Sequence, residues 1–331
     1  MNCKEIVRSN DGLYETMREE LLNACRTGSR KPADSEKRKR AKKEVSQMSL
    51  SDNALFVTLM KSTVLFNHVL STIMGREMTI VGEITEVSTE HSIELGLYRN
   101  VRLDALAKDS NGKLYNIEME NSVSRATPKR ARYYASASDV SSLRTGDDFE
   151  LLSDHYHFFL TDGDVIGNGE TVNVFSRKNQ DGRELGDGSC IFFVNMRCNG
   201  EDMLGKLLRS MRESELDKIE DIIVKNALSL VKEETEMQIS IYDTKVMLSE
   251  EREKAIAEKS FKEGMKEGLE EGKKEGIKEG IKEGIKEGEL IEKKNTVARI
   301  LNSGRKDIEF IMSVTGLGKD EVIAMIRDLE K

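Results

Sequence analysis

From Ser51 onward, apolar residues recur at three- and four-residue steps: Leu55, Phe56, Leu59, Met60, Leu65, Phe66, Val69, Leu70, Ile73 and Met74. That spacing lines one face of a helix. It predicts a single amphipathic helix from an N-cap at Ser51 or Asp52 to a stop at Gly75. The period then shortens, and MTIVGEITEV, IELGLY and VRLDALA over 78–106 read as extended segments. A turn at Asp109–Lys113 leads into another strand, LYNIEME. Thr127 before Pro128 predicts an N-cap with proline at the first helical position, opening a helix that runs to about Leu143. Strands follow at HYHFFLTD, more weakly at TVNVFSR, and at CIFFVNMR. Helical spacing returns over 201–255, with Leu204, Leu207, Leu208 and Met211, then Ile219, Ile222 and Ile223. This order predicts an α/β fold: a central mixed β-sheet flanked by helices over 51–200, plus a helical C-terminal arm.

The chain ends have a different texture. Residues 1–50 carry Lys37, Arg38, Lys39, Arg40, Lys42 and Lys43 with little apolar content around them. They read as a basic, flexible extension, either solvated or in contact with phosphates. Over 256–292 glycine recurs every four residues, from Gly264 to Gly288. Lys-Glu precedes most of these glycines, and Phe261, Met265, Leu269, Ile277, Ile281 and Ile285 form an apolar series. Each interior glycine costs a helix about 1 kcal/mol relative to alanine. The repeat is therefore expected as a long exposed helix that is a fraying linker or a self-association segment giving a homodimer. Residues 293–331 read as short helices broken at Gly304 and Gly316, a helical hairpin with a faint helix-turn-helix spacing.

Composition narrows the classes. Hydrophobic residues are 37% of the 331 and charged residues 34%, enough for one modest core with solvated helix beside it. No uninterrupted apolar run of membrane-spanning length occurs, and the start lacks a secretory pattern. Cys3, Cys25, Cys190 and Cys198 form no CxxC pair, which fits reduced thiols and a cytoplasmic location. The net charge of −8 hides a +4 balance over residues 1–50. The negative sign argues against a simple polycation that coats nucleic acid and leaves room for a local basic surface beside an acidic metal site.

The candidate chemistry lies in RNVRLDALAKDSNGKLYNIEMENS. Strand alternation puts Asn116, Glu118 and Glu120 on one face and Tyr115, Ile117 and Met119 on the other. A two-residue Asn-Gly turn would place Asp104 opposite Met119. A three-residue loop, Ser110-Asn111-Gly112, pairs Asp109 with Lys113, sets Asp104 opposite Glu118 and sets Arg102 opposite Glu120. The second register is preferred because it brings the acids together. Paired carboxylates supply the oxygen ligands that hard divalent cations take. Elsewhere, His155 and His157 share a strand face but lack a third ligand at metal spacing. Asp52 is either a site acid or a helix cap.

Asp104, the turn, Glu118-Met119-Glu120 and the basic helix PKRARYYAS together resemble the PD-(D/E)XK nuclease superfamily. The similarity is greatest to the Rpn-type recombination-promoting nucleases, or PD-(D/E)XK family transposases, and extends over roughly residues 51–290. The resemblance implies a restriction-endonuclease-like core and Mg²⁺-dependent cleavage of DNA, with Mn²⁺ as a possible substitute. It implies Asp104, Glu118 and Glu120 as catalytic residues. Asp104, Glu118 and the Met119 carbonyl would be the metal ligands. Arg125, Lys129, Arg130 and Arg132 would hold the DNA backbone. Glu120 departs from the lysine or glutamine usual at the third position. It implies either a carboxylate that accepts a proton or binds a second cation, or a site that binds DNA without turnover.

Overall fold

In the computed structural model, residues 3–26, 34–75 and 82–329 are described, with side chains from residue 12 onward. The expected strand start at 78–81 lies outside the described residues. The chain divides into two units, Met1–Glu250 and Glu251–Lys331.

The first unit opens with helices α1 (Cys3–Arg26) and α2 (Ser35–Val45). Their place in the core corrects the reading of residues 1–50 as a flexible extension. Met17, Leu21, Leu22 and Cys25 of α1, Val45 of α2, and Met48 and Leu50 beyond it are buried in the main hydrophobic cluster. On α2 the basic run is solvated on one side only, because Ala41 and Val45 turn inward. Lys37 pairs with Asp243 at 2.7 Å.

The predicted single helix is two helices, α3 (Asn53–Leu59) and α4 (Thr63–Met74), bent by 108°. The cause is tertiary. Glu20 on α1 accepts the hydroxyls of Ser62 at 2.7 Å and Thr63 at 2.5 Å, fixing a fresh helix start there. Ser62 then caps α4 through the Leu65 N–H. Every residue from Ala54 to Leu59 is buried, so α3 has no solvent face. Asp52 occupies the N-cap position but makes no side-chain cap bond, and instead accepts the Ser49 N–H at 2.8 Å. Gly75 ends α4 at a φ of 66°. Among the described residues no single helix is long and apolar enough to cross a membrane.

Among the described residues six strands follow, with one α-helix and a short 3-10 turn (Phe149–Leu151) between the third and fourth: β1 (Ile84–Ile93), β2 (Val101–Asp109), β3 (Leu114–Glu120), α5 (Pro128–Ser142), β4 (His155–Thr161), β5 (Val172–Phe175) and β6 (Ser189–Asn195). Thr127 caps α5 as the sequence predicts, accepting the Arg130 N–H. The segment IELGLY is strand only as far as Ile93; Gly96–Tyr98 turn the chain back towards β2. The sheet order is β1-β2-β3-β4-β6-β5. Pairs β1–β2, β2–β3 and β5–β6 are antiparallel, while β3–β4 and β4–β6 are parallel. One face of this mixed sheet packs on α1, α3, α4, α6 (Met203–Arg212) and α7 (Ile222–Glu233), with Tyr115, Ile117, Phe158 and Phe192 inside. The other face takes α5, whose Ala131 meets Phe159 and Phe193. This is a restriction-endonuclease-like architecture.

Helix α8 runs from Thr235 to Asn302, and its first turns bury Met237 and Ile241 in the main cluster. In the second unit the glycine repeat is helical throughout, and every residue from Glu251 to Leu290 is exposed. At its end Val297 packs with Ile311 of α9 (Ile308–Thr315) and Val322 of α10 (Lys319–Leu329).

Candidate active site

The β2–β3 hairpin adopts the three-residue loop. Asp109 N–H donates to the Lys113 carbonyl at 3.0 Å, and Gly112 has the positive φ of 82° that the last loop position requires. Asp109 anchors this turn and is buried. Its carboxylate accepts N–H groups of Gly82, Asn111 and Lys113, each at 2.9 Å, and the Tyr115 hydroxyl at 3.0 Å. Those donors hold its pKa below the usual carboxylate range although burial pushes the other way. The sequence marked Asp109 only as a turn residue, since its donors come from four separate positions.

The backbone ladder of β2 and β3 runs to Ala105 opposite Ile117, which sets Asp104 against Glu118 as expected. Beyond that pair, side chains take over the ladder's hydrogen bonds. Asp104 N–H donates to Glu118 Oε1 at 3.1 Å, and Met119 N–H donates to Asp104 Oδ2 at 3.0 Å. Each acid thus grips the other's strand. Asn116 Nδ2, also buried, donates to Glu118 Oε1 at 3.1 Å. Glu118 Oε2 is left buried without a hydrogen-bond partner among the described residues.

Burial raises the pKa of both acids. Asp104 is pushed up to about 6, chiefly by burial and in smaller part by Glu120, against the Met119 N–H and Arg130. Glu118 is raised by burial and then by Asp104. Two such groups next to each other favour a cation between them. Metal ions of the Mg²⁺ type take one or two carboxylates plus water and substrate oxygens, so this donor set and the orphaned Oε2 fit one. Among the described residues no group of three or more His, Cys, Asp or Glu side chains is gathered for a metal.

Glu120 also meets cations from beyond the hairpin. One is Arg130 from α5, whose Nη1 bonds to Glu120 Oε2. Arg130 Nη2 lies 3.6 Å from Glu118 Oε2 and donates to the Tyr134 hydroxyl at 3.0 Å. The guanidinium also stacks 4.8 Å from the Tyr134 ring centre. Burial works against its charge, but Tyr134, Glu120 and Glu118 together hold its pKa above the ordinary range. Arg125 Nε stands 3.6 Å from Glu120 Oε1, with most of its side chain in solvent. Lys129 and Arg132 are exposed. Of the four proposed backbone contacts, Arg130 reaches both Glu118 and Glu120, Arg125 reaches Glu120 from solvent, and Lys129 and Arg132 stay exposed. Sequence spacing could not separate Arg130 from its neighbours, because that depends on how α5 lies on the sheet.

His155 and His157 are both buried, with ring centres 3.9 Å apart. Burial lowers His155 to about 4 and His157 further below its usual value, so both are neutral at pH 7. His157 stands beside Asn116 in the β3–β4 register. A cleft lined by Asp52, Asn121, Asp162, Arg197 and Arg212 opens at the C-terminal ends of β3, β4 and β6, next to Glu120. Within it Arg197 holds Asp162 through two bonds of 2.5 and 2.8 Å.

The mixed sheet thus sets crossed carboxylates on adjacent strands, with a basic helix behind them. Residues 53–263 match the family model of the PD-(D/E)XK nuclease family transposases, and the chain belongs to that family. No curated protein and no solved structure matches the chain.

Proposed function

We propose that this protein is a divalent-metal-dependent DNA endonuclease, active in the cytoplasm in recombination or mobile-element processes. The observation that carries this reading is the reciprocal Asp104–Glu118 arrangement, with one buried Glu118 oxygen that makes no hydrogen bond and faces the Arg130 guanidinium at 3.6 Å. Asp104, Glu118 and the Met119 carbonyl would hold Mg²⁺ or Mn²⁺. A bound metal of this kind polarises a phosphoryl oxygen and lowers the pKa of an attacking water. The chain's own task is to fix the two carboxylates. The backbone N–H groups of Asp104 and Met119, together with Asn116, each hold one oxygen and limit how the carboxylates can rotate. Arg125, Lys129 and Arg132 would line up the DNA backbone without reading bases. The purified protein is expected to nick supercoiled plasmid with Mg²⁺ and to lose that activity in EDTA.

One observation favours a second reading, a DNA-binding protein without turnover. Glu120 is tied to Arg130 and Arg125, so it is poorly placed to act as a proton acceptor. Salt-dependent DNA binding with no product at any Mg²⁺ or Mn²⁺ concentration would select it.

A homodimer through the repeat helix is part of the same proposal. Phe261, Met265, Leu269, Ile277, Ile281 and Ile285 are each 58–69% exposed, on a helix weakened by its glycines. A second copy would cover this surface and bring two active sites to one DNA. The full chain is expected to sediment as a dimer and a truncation at Glu250 as a monomer. Monomeric sedimentation of both at high concentration would rule the dimer out.

A further inference from the structure

We propose that Arg130 is the catalytic cation of this site, with Glu120 and Tyr134 as the positioning residues that aim it. The proposal rests on the nuclease reading and specifies how that site handles the charge that builds on phosphate during cleavage.

The geometry is specific to Arg130. Its guanidinium reaches both Glu118 and Glu120. Five contacts fix its plane: the Glu120 carboxylate, Glu118 Oε2, the Tyr134 hydroxyl, the Tyr134 ring and the Arg125 carbonyl at 3.4 Å. A guanidinium needs this kind of fixing to act as an electrostatic catalyst, because donors that must reorganise lose most of their effect. Its side chain is nevertheless 25% exposed, so a bound phosphate has access to it. Neighbouring Lys129 and Arg132 have no comparable restraint and stay in solvent.

The chemistry also separates the roles. Guanidinium does not deprotonate in proteins, so Arg130 is neither base nor acid. Its planar fork can donate two N–H bonds to non-bridging phosphate oxygens. During hydrolysis the water oxygen forms the new bond to phosphorus, and the bond from phosphorus to the leaving oxygen breaks. The water's proton passes to solvent, and the leaving oxygen takes one from solvent. Arg130 gains and loses none, and stabilises the added negative charge. Glu120 then has a role that does not require it to be a base: it neutralises and orients the guanidinium before substrate arrives.

The test is a set of exchanges in the full-length protein, read by kcat, KM and DNA affinity, with circular dichroism to check folding. Arg130→Gln is expected to lower kcat by about 10²–10³-fold, the scale on which losing one preorganised donor acts. DNA affinity measured without metal should change less than about threefold, and Arg130→Lys should keep part of the rate. The double variant E120Q/R130Q removes both charges and should remain slow. The double variant E120K/R130Q returns a cation to the cluster from the strand side and should recover at least tenfold over Arg130→Gln. Recovery in E120Q/R130Q would overturn the proposal, since Arg130 would then only balance Glu120. A rise in KM with kcat intact in Arg130→Gln would overturn it in favour of a plain DNA-backbone contact. A wild-type protein that cuts nothing would overturn the nuclease reading as well, so the two failures are distinguishable.

Discussion

Replacing Asp104 with asparagine is expected to abolish metal-dependent cleavage and, at the same time, to make the protein more stable at pH 8. The loss follows from the donor set. A metal contributes several kcal/mol to developing charge, and each 1.36 kcal/mol is tenfold, so removing one of its two carboxylates should cost about 10³-fold or more in rate. The gain follows from the buried charge. The folded-state pKa of Asp104, about 6, lies above the ordinary 3.8. The unfolded chain therefore releases this proton first, and the contribution to stability falls as pH rises from about 4 to 6. Above that window the deficit is complete, at roughly 3 kcal/mol. Asparagine keeps an oxygen for the Met119 N–H and carries no charge. Urea midpoints should separate at pH 8, with the variant higher, and converge near pH 4. Equal midpoints at pH 8 would show that Asp104 is not strained by its charge. Mg²⁺ should narrow the pH 8 gap by stabilising the wild type alone.

Deleting residues 1–50 is expected to remove the cooperative fold, not merely an appendage. Met17, Leu21 and Leu50 are almost wholly buried, and Glu20 fixes the start of α4. Leu21→Ala alone should cost about 3 kcal/mol, in the range for a buried leucine with a residual cavity. The truncation removes seven residues of the main cluster together, a loss that a stability of about 5–15 kcal/mol cannot absorb. Near-ultraviolet circular dichroism and urea titration would report it. A truncated chain that unfolds cooperatively within about 1 kcal/mol of the full chain would contradict this account of the core.

The hairpin shows how far local reasoning reaches. Gly112 accepts the left-handed backbone, the three-residue loop sets the register, and alternation then puts Asp104 and Glu118 together with Asn116 on their face. Each step depends on residues within a few positions of one another. The start of α5 at Thr127 and the end of α4 at Gly75 were legible for the same reason. The break between α3 and α4 was not. The apolar spacing runs unbroken across Lys61 and Ser62, and what divides it is a carboxylate 42 residues upstream.

The sequence by itself determined most strand positions, the β2–β3 turn, the α/β order and the pair of acids, because these follow from backbone preference and side-chain period. Only the tertiary structure decided three further points: that α1 belongs to the core, that β3, β4 and β6 run parallel, and that Arg130 turns inward while Lys129 and Arg132 stay in water. Periodicity states which face of an element is apolar but not which remote element will cover it. A charged side chain's role depends on which groups that docking places within about 4 Å, where a charge is felt most strongly.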